Sequence, residues 1–340
     1  TNGTNGSAAL TIANLVRGGT GAVVNFVGNN ALGQTGLNTT QILLGSLNSA
    51  APTLTNSILG GWAIANSADF ATWNAAQGVG ALGSGTFAAY DVLASTGTFT
   101  SSGTQNVKLL AAGTLSAGGQ TMNSLNIAGA FGLTFSAGTD TLTLTSGGLL
   151  KTGNAASIGT AGTAGVVTSG TSELFVTNAT SGQTLTVFSK ITGGTVVLSG
   201  PGSFLLSPQA SNTYTGATYL NGGPVTTGSL ALTVVPGDLV INNTTLTMGT
   251  VAGQIASASN VTLNGGASLT LYGNNTLNSV RFNNTGAQAT PTLNSGAQSQ
   301  TPTTVTNGSL VIVMAGSYNL TIGQLVSGTG VIPGTRITAV

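Results

Sequence analysis

The 340-residue chain has no cysteine and no histidine, and it carries only six Lys or Arg and five Asp or Glu. A soluble domain of this length would ordinarily carry roughly 85 charged residues. Without cysteine there is no disulfide framework and no thiolate chemistry. Without cysteine or histidine the usual transition-metal ligands are missing, and five separated carboxylates make a poor oxygen cage for calcium. Six scattered cations cannot neutralise a track of phosphates, which argues against nucleic acid as a partner. Apolar runs are short: the densest, Leu310 to Ala315, is far below the roughly 18 residues of a membrane-spanning helix. Lys and Glu are nearly missing, so long helices with a period near 3.6 are not expected. The net charge of +1 removes the repulsion that keeps folded proteins apart and favours association.

What is present is apolar and small. Hydrophobic residues make up 40% of the chain and glycine contributes 53 residues, so a large core can be buried and disorder is not expected. Thr141-Leu-Thr-Leu-Thr145, Asn260-Val-Thr-Leu-Asn264 and Ser268-Leu-Thr-Leu271 alternate apolar and polar residues, the mark of strands with one buried face. Each is followed within two residues by Gly, which tolerates the backbone of tight corners. Only Ser67 to Gln77 leaves room for a helical turn. Similar strands recur at Val240, Val261 and Val280, Leu246 echoes Leu269, and Asn123-Ser-Leu-Asn-Ile127 echoes Asn278-Ser-Val-Arg-Phe282. A period of about 20 residues favours stacked coils. The expectation is an all-β right-handed parallel β-helix, a β-solenoid, over residues 1–300, with a small C-terminal β-module over 301–340. Some 14 coils at about 4.8 Å each would give a rod of roughly 65–70 Å. Asn242, Asn243 and Asn264 are candidates for amide ladders at coil corners.

The stretch GSFLLSPQASNTYTGATYLNGG, residues 202–223, resembles the autotransporter-associated β-strand repeat, with Phe204 and Ala217 as mild departures from its pattern. Residues 58–82 and 123–150 are similar to flanking parts of large bacterial surface proteins that bear such repeats, and the likeness spans residues 8 to about 290. The resemblance implies a right-handed parallel β-helix in an exported passenger region. It implies no single activity, because such passengers include adhesins, stalks and enzymes. No membrane-barrel segment accompanies it. Thr1-Asn-Gly-Thr-Asn-Gly6 has neither the basic start nor the apolar core of a signal peptide, so a removed leader or a longer parent chain is expected. Sequons such as Asn243-Thr-Thr245 follow from an Asn- and Thr-rich composition and carry little weight for glycosylation.

Candidate chemistry is sparse. Asp69 and Asp91 lie about one coil apart and could face each other as a glycosidase pair, although two acids at corners is the plainer reading. Gly78-Val-Gly-Ala-Leu-Gly83 has the spacing of a dinucleotide-binding loop but lacks its strand, helix and acidic partner. Trp62 and Trp73, with Phe70 between them, are the weak binding candidates, an aromatic platform for sugar or a partner, against packing in a broad first coil. Arg281 reads as an outward or rim side chain. No catalytic residue, cofactor or metal is assigned, and the chain is read as not an enzyme.

The composition and the strand period together point to an extracellular or cell-surface structural protein. It would be one unit of a filament, sheath or stalk, joined by end-to-end and lateral strand contacts because the sequence shows neither polar caps nor charged edge residues. A cell-surface adhesin displaying loops toward a glycan or cell surface is the alternative, and a polysaccharide-degrading β-helix enzyme a third. A neighbouring copy is expected to complete the terminal module.

Overall fold

The structure is a computed structural model. It describes residues 6–284 and 289–295 and, beyond them, the short pieces 302–305, 312–314, 322–323, 325–326 and 332–338. The expected all-β parallel β-helix is what the chain forms. Two ladders of ten parallel strands each run side by side. Sheet I extends from Asp91–Leu93 to Ser279–Asn283, and sheet II from Gly97–Phe99 to Thr292–Ser295. A third, shorter side is built where the long strands Gln120–Ala128 and Thr141–Thr152 bend past a register shift between Met122 and Ser124. Their first halves continue through Val166–Thr168 to Lys190–Thr192, and their second halves stay in sheet I. Nine steps of about 4.8 Å between ten strands make the stack roughly 43 Å long, shorter than the rod expected from 14 coils.

The core is columnar. One inward column of sheet I comprises Asp91, Val107, Leu125, Leu149, Val176, Leu198, Leu220, Ile241, Leu263 and Phe282. Steps along it range from Asp91 to Val107 to the longer Leu149 to Val176, and they settle near 22 residues in the later coils, as in the Thr177–Ser199 and Asn242–Asn264 side-chain pairs. The register refines the sequence echoes. Leu246 pairs with Leu269 as expected, but Val261 stands over Leu239, and Val240 lies over Thr262 on the outer face. A one-residue offset exchanges faces, so Val240 and Val261 belong to different columns. The Asn123 and Asn278 echoes use the same face of the same sheet, shifted by two residues, since Leu125 rather than Ile127 shares Phe282's column.

The 202–223 segment forms one coil, and its polar residues bind it to its neighbours. Asn212 is buried; its Oδ1 accepts from the Ile191 amide of the preceding coil at 2.8 Å, and its Nδ2 donates to the Val234 carbonyl of the next at 2.8 Å. Tyr214 fills the interior with its hydroxyl 2.6 Å from Thr218 Oγ1, and burial pushes its phenol well above the ordinary value. An amide with a donor and an acceptor satisfies two coils at once, which hydrophobic residues cannot do at a corner.

The two ladders begin at Asp91, later than the expected span of 1–300. Residues 8–82 build two small sheets of their own: a parallel one ordered Ala8–Ile12, Thr39–Leu44, Ala31–Leu32, and a second ordered Val24–Phe26, Ala63–Ala65, Asp69–Asn74, Gly78–Ala81. The last two joins of the second sheet are antiparallel. The helical turn allowed for Ser67 to Gln77 is absent: the segment is a hairpin strand, Asp69–Asn74, entered by a left-handed turn at Asn66 and Ser67. At the other end, Pro302–Val305 and Ile312–Met314 pair antiparallel. The remainder of the Asn307–Met314 and Gly323–Gly334 segments lies largely outside the described residues.

One cation is enclosed in the stack. Lys151 stands in the inward column between Ile127 and Asn178, is 0% exposed, and donates from Nζ to the Gly153 carbonyl at 2.7 Å. Burial lowers its pKa from the ordinary 10.5. The unfolded state therefore binds more protons between the folded and unfolded values, and stability rises with pH through that window. Lys151→Met, which keeps the volume and removes the amine, is expected to raise stability at pH 7 by on the order of 1 kcal/mol. It should also flatten the pH dependence of the urea midpoint between pH 7 and 10; a lower midpoint with the same slope would contradict this account.

Candidate functional site

The outer faces of the two sheets differ. On sheet I the strands Leu174–Asn178 and Val196–Ser199 are buried at every position, which a sheet with one wet face cannot be. The cover is the 8–82 module. Down the outer column from Ser124, Gly148, Phe175 and Val197 to Tyr219, Val240, Thr262 and Arg281, residues pass from buried through half-buried to exposed. The module therefore covers the earlier strands and leaves the last ones free. Backbone meets backbone where it lands: a Cβ on Gly61 would sit 2.4 Å from the Gly148 nitrogen, and one on Gly148 would sit 2.9 Å from Gly61 Cα.

Both ion pairs among the described residues tie the module to the solenoid. Arg17 Nη2 meets Glu173 Oε2 at 2.6 Å, and Glu173 Oε1 accepts from the Gly21 amide at 2.7 Å. The guanidinium lies 5.1 Å from the Phe175 ring centroid and 5.8 Å from that of Trp62, within cation–π range. Lys108 Nζ meets Asp69 Oδ1 at 2.6 Å and lies 5.1 Å from the Tyr90 centroid. The Tyr90 hydroxyl accepts from the Phe70 amide at 2.9 Å; burial, aided by the Asp69 charge, pushes its phenol far up.

A polar ladder continues the outer edge of sheet I. Asn264 Nδ2 donates to Asn242 Oδ1 at 2.6 Å, Asn242 Nδ2 to Asn221 Oδ1 at 2.6 Å, and Asn221 Nδ2 to the Gly21 carbonyl of the module at 2.7 Å. Asn242 and Asn264 are thus ladder members as expected. Asn243 instead takes a left-handed corner at φ 51°, and the third rung is Asn221.

The sequence candidates are scattered by this arrangement. Phe70 is 1% exposed and lies among Ile58, Ile64, Leu82, Leu150 and Ala179. Ala71 and the half-buried Trp73, on the other face of the same strand, pack into the module's own core, as the period of two requires. Trp62 is half-buried against that core beside Arg17. The three aromatics therefore form no shared platform. Asp69 is engaged by Lys108 on the outer side of sheet I, whereas Asp91 is in register with the core residue Val107 and so lies on the opposite face. The convergence that a glycosidase pair would need does not occur. Gly78–Ala81 is a strand, not a loop before a helix, and Gly80 makes room for Phe87, whose ring would lie 2.1 Å from a Cβ there. Arg281 is exposed on the last strand of sheet I.

The face left open over the full length is that of sheet II. Its outward positions run Thr98, Thr114, Thr134, then Ser157, Thr186, Leu205, Thr226, Thr247, Thr270 and Asn294. A second column in the later strands includes Thr184, Ser203, Thr245, Ser268 and Thr292. Hydroxyls bond along the axis, Thr114 to Thr134 at 2.7 Å and Thr184 to Ser203 at 2.7 Å. None of the ten strands of sheet II contains a charged residue. Individual T-L-T patterns were legible, but their alignment into columns depends on register and on loop lengths. Comparison with protein-family models, curated proteins and solved structures returned no match.

Removing one partner of the Arg17–Glu173 pair leaves a partly buried charge uncompensated. Glu173→Ala is expected to weaken docking of the module by on the order of 2 kcal/mol. Tryptic cleavage after Arg17 should then accelerate about tenfold or more, while cleavage after Arg281, which is already exposed, stays unchanged. Equal rates at Arg17 in both proteins would show that the pair does not hold the module.

Proposed function

We propose that this chain is an extracellular structural protein, a β-helical unit that associates side by side with copies of itself through the outer face of sheet II. The observation that carries the reading is the uncharged Thr and Ser array along all ten strands of that sheet. Bringing such a face against another desolvates no charge, and β-branched threonines lose little side-chain freedom on ordering. Two copies share the same rung spacing of about 4.8 Å, so their columns can interdigitate over many rungs as identical side chains do in stacked sheets. The likeness of residues 202–223 to the autotransporter-associated repeat supports placement at a bacterial cell surface or outside the cell. The adhesin alternative loses its expected contact site, since Phe70 is buried and Trp62 and Trp73 lie within the module.

Sedimentation velocity over a range of concentrations tests the proposal. The wild-type chain is expected to associate as concentration rises, and the Thr226→Lys, Thr247→Lys double variant to need at least about tenfold more protein for the same degree of association. Thr143→Lys, on the third side, should behave as wild type. A wild-type chain that stays monomeric at high concentration overturns the reading.

A further inference from the structure

The two ends of the stack are chemically unlike. At the first strand of sheet I, the core-facing column begins with Asp91. At the last strand the same column ends with Phe282, over the fully buried Leu263. Phe282 is 53% exposed, and Leu293, which stands over the fully buried Leu269 in sheet II, is 41% exposed. Among the described residues the outer edges of Ser279–Asn283 and Thr292–Ser295 have no strand partner. The sequence had suggested that charged edge residues were missing. Asp91 fills that role at one end, since an inward-pointing charge on an edge strand discourages pairing.

We propose that the Ser279–Asn283 and Thr292–Ser295 end is an interface for a second copy of this chain, joined tail to tail about a two-fold axis. The inference rests on the self-association proposed above and adds which ends meet. Head-to-tail joining would extend the column by placing Asp91 over Phe282 and would bury a carboxylate without a partner. Tail-to-tail joining pairs the Ser279–Asn283 strands antiparallel, and directly opposed residues then share a face. With Phe282 opposite its twin, Arg281 falls opposite Asn283, so no like charges meet. The exposed apolar residues of both copies cover each other, as an isologous contact requires.

The absence of cysteine makes the test direct, because one introduced thiol reports one position. Antiparallel neighbours lie about 4.5–5.5 Å apart, within the roughly 4.4–6.8 Å that a disulfide spans. Phe282→Cys alone is expected to give a disulfide dimer under mild oxidation, and Asp91→Cys alone, at the position that head-to-tail joining would set over Phe282, to stay monomeric on denaturing gels. A mixture of the two variants should give only the homodimer of Phe282→Cys. If Phe282→Cys fails to fold, as judged by circular dichroism, a mixture of Arg281→Cys and Asn283→Cys serves in its place, since this register sets those two positions opposite each other and a mixed disulfide dimer is expected. A predominant mixed dimer would establish head-to-tail joining and overturn the proposal. Oligomers of Phe282→Cys in sedimentation whose introduced thiol stays unpaired would overturn it while leaving lateral association standing. A monomeric Phe282→Cys whose thiol resists maleimide would also overturn it, by showing that residues 296–340 of the same chain cover this end. A monomer at every concentration removes both this inference and the reading beneath it.

Discussion

A coil of about 22 residues encloses too little volume to have a core of its own, so each coil is stable only through the coil before it and the coil after it. That dependence organises everything else in the molecule. Apolar side chains must repeat in columns, as from Val107 to Leu263, because a residue off its column loses contacts on two sides. Polar groups at corners must also repeat or bridge, as Asn212 does between Ile191 and Val234. The cost of the arrangement falls on the two end coils, where a column of described residues stops.

Several of the few charges lie at the seams of this arrangement. Arg17 with Glu173 and Lys108 with Asp69 hold the module to sheet I, Asp91 blunts the first strand, and Arg281 marks the rim of the last one. Lys151 instead stands inside the stack, a cation held by a single carbonyl. Ion pairs that straddle a docking surface contribute more to its orientation than to its strength, since desolvation offsets much of their attraction. The module turns the earlier strands of one sheet into buried interior and leaves the other sheet as a long uncharged surface. Which face the protein presents is thus set by where the module rests.

Much of the solenoid was legible because alternation along a strand needs no partner to be seen. Thr141 to Thr145 and Ser268 to Leu271 announce an inner and an outer face directly. Continuous apolar runs such as Leu174-Phe-Val176 and Val196-Val-Leu198, which alternation does not pick out, mark strands buried on both faces, here the covered side of sheet I. The aromatic candidates failed because burial depends on what lies opposite. Phe70 and Trp73 are three residues apart on one strand, yet one enters the seam and the other the module's core.

By itself the sequence determined the class of fold, the approximate pitch of the coils and the shortage of charge, because these follow from local periodicity and composition. Only the tertiary structure decided the register. Loops of unequal length separate the strands, and a slip of one residue moves a side chain from the core to the surface, as the exchange of Val240 for Leu239 beneath Val261 shows. Register in turn aligned the threonines of sheet II, parted Asp69 from Asp91 and set Asp91 and Phe282 at opposite ends of one column. Those placements come from contacts between residues far apart in the chain, and no local pattern encodes them.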